Sequence, residues 1–174
     1  MKERRILIFT GNGKGKTTAA LGMALRASGH GMRVRIIQFI KNDDTTGEVN
    51  AIHNLPGVEL VQTGCGFIPP STSPAFAKHI KAAERGLKLA AAAVASGDYE
   101  MVVLDEICAA AAYGLLVESD VTDIMQAAAR RICLVMTGRA ATAGMIELAD
   151  TVTEMNCLKH AFEAGLPAQR GVEY

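Results

Sequence analysis

The stretch RILIFTGNGKGKTTAALGMALRASG, residues 5–29, constrains the fold more than any other part of the chain. The apolar run Ile6–Phe9 reads as a strand, glycines follow at 11, 13 and 15, and Lys16-Thr17-Thr18 opens a helix-forming segment. Alternating glycines let successive backbone N–H groups point into one concavity, and the helix N-terminus behind them adds positive potential. Such a unit cradles phosphate. In this reading Gly11, Asn12, Gly13, Lys14, Gly15, Lys16, Thr17 and Thr18 surround phosphate oxygens, with Lys16 supplying charge and Thr17 a hydroxyl ligand for Mg²⁺. The general pattern G-x-x-x-x-G-K-[ST] asks for glycine where Thr10 stands, so the alternative is a glycine-rich turn with no ligand.

The rest of the chain repeats the alternation of strand and helix. Further strand candidates are Arg33–Phe39, Val58–Gln62, Met101–Asp105, Ile132–Met136 and Thr151–Met155, with helices between most of them. The clearest helix starts from an N-cap at Ser73 with Pro74 in its first turn. Its stripe Phe76, Ile80, Ala83, Leu87, Ala90 and Val94 recurs at steps of three and four, while Lys78, Lys81, Arg85 and Lys88 lie off it. Strands apolar throughout, alternating with helices, predict an α/β fold: a mostly parallel sheet with helices on both faces. The loops Asn42–Gly47 and Gly64–Ser73 follow strand carboxyl ends, where open α/β sheets bind ligands.

Bulk properties narrow the partners. A chain of 174 residues, 49% hydrophobic, suits one domain with a full core. Its 18 basic and 18 acidic residues cancel and only 5% are aromatic, which argues against nucleic acid and anionic membranes and for small molecules. Cys65, Cys108, Cys133 and Cys157 form no C-x-x-C pair and no secreted disulfide framework. The apolar run near the start is too short for a signal peptide, and no segment is long enough to span a bilayer, so a cytoplasmic location is expected.

Three further features bear on chemistry. In MVVLDEI the strand ends in Asp105-Glu106, acids placed to hold the magnesium of a nucleotide site directly or through water, or else simply to cap a helix. In LVMTGRA, Arg139 either meets an anion or marks an exposed strand-to-helix turn. His30 and His53 read as solvated turn residues, His79 flanks a helix stripe, and no histidine pair has metal-ligand spacing. No nucleophile elbow or triad pattern is present.

Taken together, GNGKGKTTAALGMALRASGHG, IIQFIKN followed by GEVN, GCGF, VVLDEI, TGR, ADTVTEM and the ending KHAFEAGLPAQRGVEY resemble the ATP:corrinoid adenosyltransferases of cobalamin synthesis and salvage, from Arg5 to Tyr174. The resemblance makes the G-N-G-K-G-K-T-T loop an ordinary family variant. It implies a P-loop NTPase-like (RecA-type) domain over residues 1–174. The implied reaction transfers the 5′-deoxyadenosyl group of ATP to the Co(I) of a corrinoid and releases triphosphate. It further implies that residues 11–18 bind the triphosphate, that Lys16 and Glu106 are catalytic, and that Thr17 and Glu106, with Asp105 as a further candidate, hold Mg²⁺. Phe67 would face the corrinoid, where family members often carry a Trp at the position of Pro69. An external reductase of the flavoprotein class and a homodimer are implied as well. A P-loop ATPase or small-molecule kinase, and an ATP-dependent corrinoid escort, are the competing readings.

Overall fold

In the computed structural model, which describes residues 4–172, the strands β1 (Arg5–Thr10), β2 (Val34–Gln38), β3 (Val58–Gln62), β4 (Met101–Asp105), β5 (Cys133–Thr137) and β6 (Thr151–Glu154) form one sheet in the order β3-β2-β4-β5-β1-β6. Residues 1–3 and the last two residues of the family-like ending, 173–174, fall outside that range. Every pairing is parallel, as strands that return through helical crossovers must be. All six expected strands are present, shifted by one or two residues at most at their ends.

The pleat sorts side chains between two cores. Ile6 and Ile8, Ile37 and Phe39, Val102 and Leu104, and Leu134 and Met136 pack on one face with helices α3 (Phe76–Ser96), α4 (Ile107–Ala112), α5 (Glu118–Ala127) and α6 (Ala143–Leu148). Val34, Ile36, Val103 and Val135 face the other way, against α1 (Lys16–Gly29) and α2 (Gly47–Ile52). The α1 residues that meet the sheet are Ala20, Ala24 and Ala27, all buried. Their small size lets the helix lie close across β4, β5 and β1, which fixes its N-terminus at the carboxyl end of the sheet.

Helix α3 starts later than the sequence suggests. Ala75, not Ser73, is its N-cap, because Ser73 and Pro74 belong to a preceding turn in which the Phe76 N–H donates to the Ser73 carbonyl at 3.0 Å. Its buried face includes the expected Ala83, Ala90 and Val94, and also His79, Ala82, Gly86 and Ala93. His79 thus lies within the buried face rather than beside it. Gly86 is there because a Cβ would come within 2.6 Å of Thr63 Oγ1 and 3.0 Å of the Phe39 ring, so α3 presses on the ends of both β2 and β3.

Two glycines separate packing from propensity. Gly22 sits mid-helix in α1 with open space where a methyl group would project, so Gly22→Ala should stabilise by about 0.5–1 kcal/mol and raise Tm by a few degrees. Gly64 lies flush against the backbone of Ile40, so Gly64→Ala should lower Tm sharply. Thermal melts of the two variants check both signs.

Candidate functional site

The alternating glycines of the loop have packing causes as well as a ligand rationale. A Cβ on Gly11 would lie 2.5 Å from the Met155 carbonyl oxygen, and one on Gly13 would lie 2.8 Å from the same atom and 2.9 Å from the Asn156 backbone. The loop is pressed onto the end of β6, with the Gly13 N–H donating to Met155 O at 2.6 Å and the Met155 N–H to Thr10 O at 2.8 Å. Gly15 has φ +107, a left-handed conformation that favours glycine, and it caps α1.

The loop lines a cavity of about 610 Å³ through residues 12–18, joined by Leu21, Lys41, Glu48, Glu106, Arg139 and His160 among others. Seven of the eight expected loop residues therefore face the cavity. Gly11 does not line it and serves the contact with Met155.

Lys16 is buried, and its Nζ donates to the carbonyls of Gly11 and Gly13, at 2.7 Å each. The ammonium thus lies folded back across the mouth of the loop. Burial pushes it below the ordinary lysine range, Glu106 works against that shift, and Arg139 adds to it. A neighbouring anion would find this cation poorly hydrated and ready to pair.

Asp105, at the tip of β4, is fully buried. Its Oδ1 accepts from the Thr17 hydroxyl at 2.8 Å and the Thr137 hydroxyl at 2.7 Å, and its Oδ2 accepts from Gln38 Nε2 at 3.0 Å. Lys41 Nζ lies 3.8 Å from Oδ2 and also pairs with Glu48 at 3.1 Å. The acid in direct contact with Thr17 is therefore Asp105.

Glu106 follows with φ +66, a left-handed conformation uncommon for a residue with a side chain, held by its N–H donating to Thr137 Oγ1 at 2.9 Å. Burial pushes its carboxyl up, the Asp105 charge pushes the same way, and Lys16, Lys41 and Arg139 oppose them. Arg139 lies between Gly138 (φ +140) and Ala140 (φ +53), so the strand-to-helix turn is real. It is also exposed and lines the cavity, so the two readings of this arginine coexist.

A second cavity, of about 720 Å³, adjoins the first and shares Glu106 and Arg139 with it. Its other walls include Ile40, Phe67, Pro69, Phe76 and Tyr113. Phe67 is 94% exposed, so its ring is not core. The loop that carries it is stitched to the end of β2 by Gly66 N–H donating to Ile40 O at 2.8 Å. Cys108 lies under Gly138, its thiol pushed up to about 12 by burial, an unreactive side chain.

Gln38, Lys41, Thr137, Met155 and His160 were not singled out by sequence. Thr137 did leave a signal, a polar residue at the end of an otherwise apolar strand.

With this geometry in view, the comparisons with known proteins are decisive. The model of the family described as ATP:corrinoid adenosyltransferase BtuR/CobO/CobP matches residues 2–174. The chain belongs to this family. It is 44% identical over 170 residues to the corrinoid adenosyltransferase of Pseudomonas aeruginosa, covering 97% of this chain and 83% of that one. It is 39% identical over 171 residues to the corrinoid adenosyltransferase CobA of Salmonella typhimurium, covering 97% and 85%. Among solved structures, a KaiC-like protein of Pyrococcus horikoshii superposes with TM-score 0.54 at 15% identity, over 91% of this chain and 74% of that chain. ATPases 2 and 3 of EssC from Geobacillus thermodenitrificans give 0.51 at 12% identity, over 96% and 34%. These two likenesses concern the fold alone, which is P-loop NTPase-like.

The two acids should respond oppositely to neutralisation. In Asp105→Asn one acceptor oxygen becomes an NH2 group, so either Gln38 Nε2 or the Thr17 and Thr137 hydroxyls lose the acceptor they now have, and the change should destabilise by about 1–3 kcal/mol. Glu106 carries a raised carboxyl, so its contribution to stability is present at low pH and is lost as pH rises through its folded-state value. Glu106→Gln should therefore raise Tm at pH 8, with the gain shrinking toward pH 4, in melts without nucleotide or added divalent metal.

Proposed function

We propose that the protein transfers the 5′-deoxyadenosyl group of ATP to the Co(I) of a corrinoid and releases triphosphate, acting as one nucleotide-binding unit over residues 1–174. One observation carries this reading: the phosphate-loop cavity and the aromatic-walled cavity meet at Glu106 and Arg139. A nucleotide held by its phosphates in the first can present a carbon to a flat corrinoid in the second.

The electron pair that forms the new cobalt–carbon bond comes from Co(I), and the bond that breaks joins the 5′-carbon to its phosphate oxygen. The substrate brings its own nucleophile, so the protein's task is alignment and stabilisation of charge on the leaving triphosphate. Backbone amides among residues 12–18, other than that of Gly13, which donates to Met155 O, and the Lys16 ammonium meet that charge. Lys16 must first exchange the carbonyls of Gly11 and Gly13 for phosphate oxygens, a change favoured by its poor hydration. Arg139, at the junction, adds positive charge beside the leaving group.

A magnesium ion fits the donors present. Thr17, Asp105 and Glu106 offer only oxygen, and Mg²⁺ at nucleotide sites takes one or two carboxylates and completes its shell with phosphates and water. Thr17 and Asp105 are already in contact, and Thr17 and Glu106 line the cavity while Asp105 is buried. When bound, the ion would neutralise phosphate charge.

Phe67 would lie against a corrinoid face, where its exposed ring excludes an axial ligand from the metal. Loss of that ligand makes Co(II) easier to reduce, as axial-ligand control of potential requires. The electron would come from a separate reductase of the flavoprotein class. A homodimer in the cytoplasm completes the reading, and among the described residues no helix is long and apolar enough to cross a membrane.

Two variants test the assignments. With ATP and chemically reduced corrinoid, Lys16→Ala should slow appearance of the light-sensitive cobalt–carbon absorption by about 10²-fold or more. Phe67→Ala should leave Tm and ATP affinity unchanged yet weaken the electron paramagnetic resonance signal of four-coordinate Co(II) in the ATP complex. Full turnover in the lysine variant would remove the phosphate-loop assignment, and lost ATP binding in the phenylalanine variant would remove the corrinoid contact.

A further inference from the structure

The chain beyond β6 runs through a short 3₁₀ turn, Ala161–Ala164, and does little packing. Leu158, Phe162, Leu166 and Val172 all stay exposed, so burial does not hold it in place. Its near end is fixed instead by the phosphate loop, through the paired bonds of Met155 with Gly13 and Thr10. It then returns to the nucleotide cavity, where His160, Gly171 and Val172 form part of the lining.

His160 is the polar side chain this segment turns to that cavity, and it is half-buried while residues 161–172 are exposed. Its Nδ1 accepts the Phe162 N–H at 3.1 Å. A ring whose Nδ1 accepts carries its proton on Nε2, so the remaining nitrogen is a hydrogen-bond donor.

We propose that residues 156–172 form the outer wall of the nucleotide site, with His160 Nε2–H donating to an acceptor atom of bound ATP. The inference rests on the ATP-using reading above and adds to it a binding residue outside the phosphate loop. The loop glycines grip the base of the segment, and the segment contributes His160, Gly171 and Val172 to the cavity wall. A cavity of about 610 Å³ is within the usual size for a site that encloses a small ligand.

The test measures Mg-ATP binding by isothermal titration without corrinoid, and follows trypsin cleavage after Lys159 and Arg170, both exposed in this segment. His160→Ala should raise the Kd for ATP about fivefold or more, as loss of one hydrogen bond does. His160→Gln, which keeps an N–H donor, should recover most of that loss. In both variants the KM for corrinoid should stay at the wild-type value, and ATP should slow cleavage at Lys159 and Arg170 in the wild type. A Kd for His160→Ala within twofold of wild type overturns the proposal whatever the protease shows, as does a shift confined to the corrinoid KM. If the ATP effects appear but no adenosyl group is transferred, this inference stands and the proposed reaction falls.

Discussion

The fully buried carboxylate of Asp105 is the interaction on which the site is assembled. A buried charge is tolerated only when its oxygens are satisfied, and here the donors come from three other elements: Thr17 of α1, Thr137 of β5 and Gln38 of β2. Meeting that demand clamps the first turn of α1, and with it the phosphate loop, to the centre of the sheet. Thr137 then passes the constraint on, since its oxygen also receives the Glu106 N–H and holds that residue in its left-handed conformation. Gln38 extends it outward by accepting from Gln62, which also donates to the Asp43 carbonyl. One carboxylate thus ties the first turn of α1 to Gln38 and, through Gln62, to the backbone of Asp43.

Around this fixed point the site holds groups that a purely stable protein would avoid. Glu106 is a desolvated acid next to another acid, in a backbone conformation uncommon outside glycine. Lys16 is a desolvated cation bonded to neutral carbonyls, and Phe67 holds an aromatic ring in water. Each is costly without substrate and useful with it. In the proposed reaction triphosphate would give the lysine a better partner, and a flat apolar ligand would cover the phenylalanine. The stability that offsets these costs comes from the two apolar layers of the sheet, whose strands β2, β4 and β5 are buried almost throughout.

Most of the architecture was legible in the sequence because the determining signals are local. Six short apolar or β-branched runs and the glycine loop between the first strand and its helix suffice to read a parallel α/β sheet. The start of α3 was misplaced because Ser73-Pro74 satisfies helix-start chemistry while the chain spends one more turn reaching the sheet. The phosphate loop was readable as a motif, yet the role of Gly11 was not, since it depends on Met155, more than a hundred residues away. The same holds for Lys41 and His160, whose places in the cavity arise from strand order and from the return of the chain after β6. Asp105 and Glu106 were both visible as acids at a strand tip. Which of them touches Thr17 depends on the pleat and the turn that follows, and only coordinates fix that.

The central claim is that the bond broken in ATP lies between the 5′-carbon and oxygen, as transfer of an adenosyl group by a member of this family requires. Phosphorus NMR of the products formed from ATP, Mg²⁺ and chemically reduced corrinoid measures this directly. The account predicts intact triphosphate in equal amount to the adenosylated corrinoid. ADP with phosphate or a phosphorylated acceptor would contradict it and make the protein a P-loop ATPase or kinase, and unchanged ATP beside bound corrinoid would make it an escort.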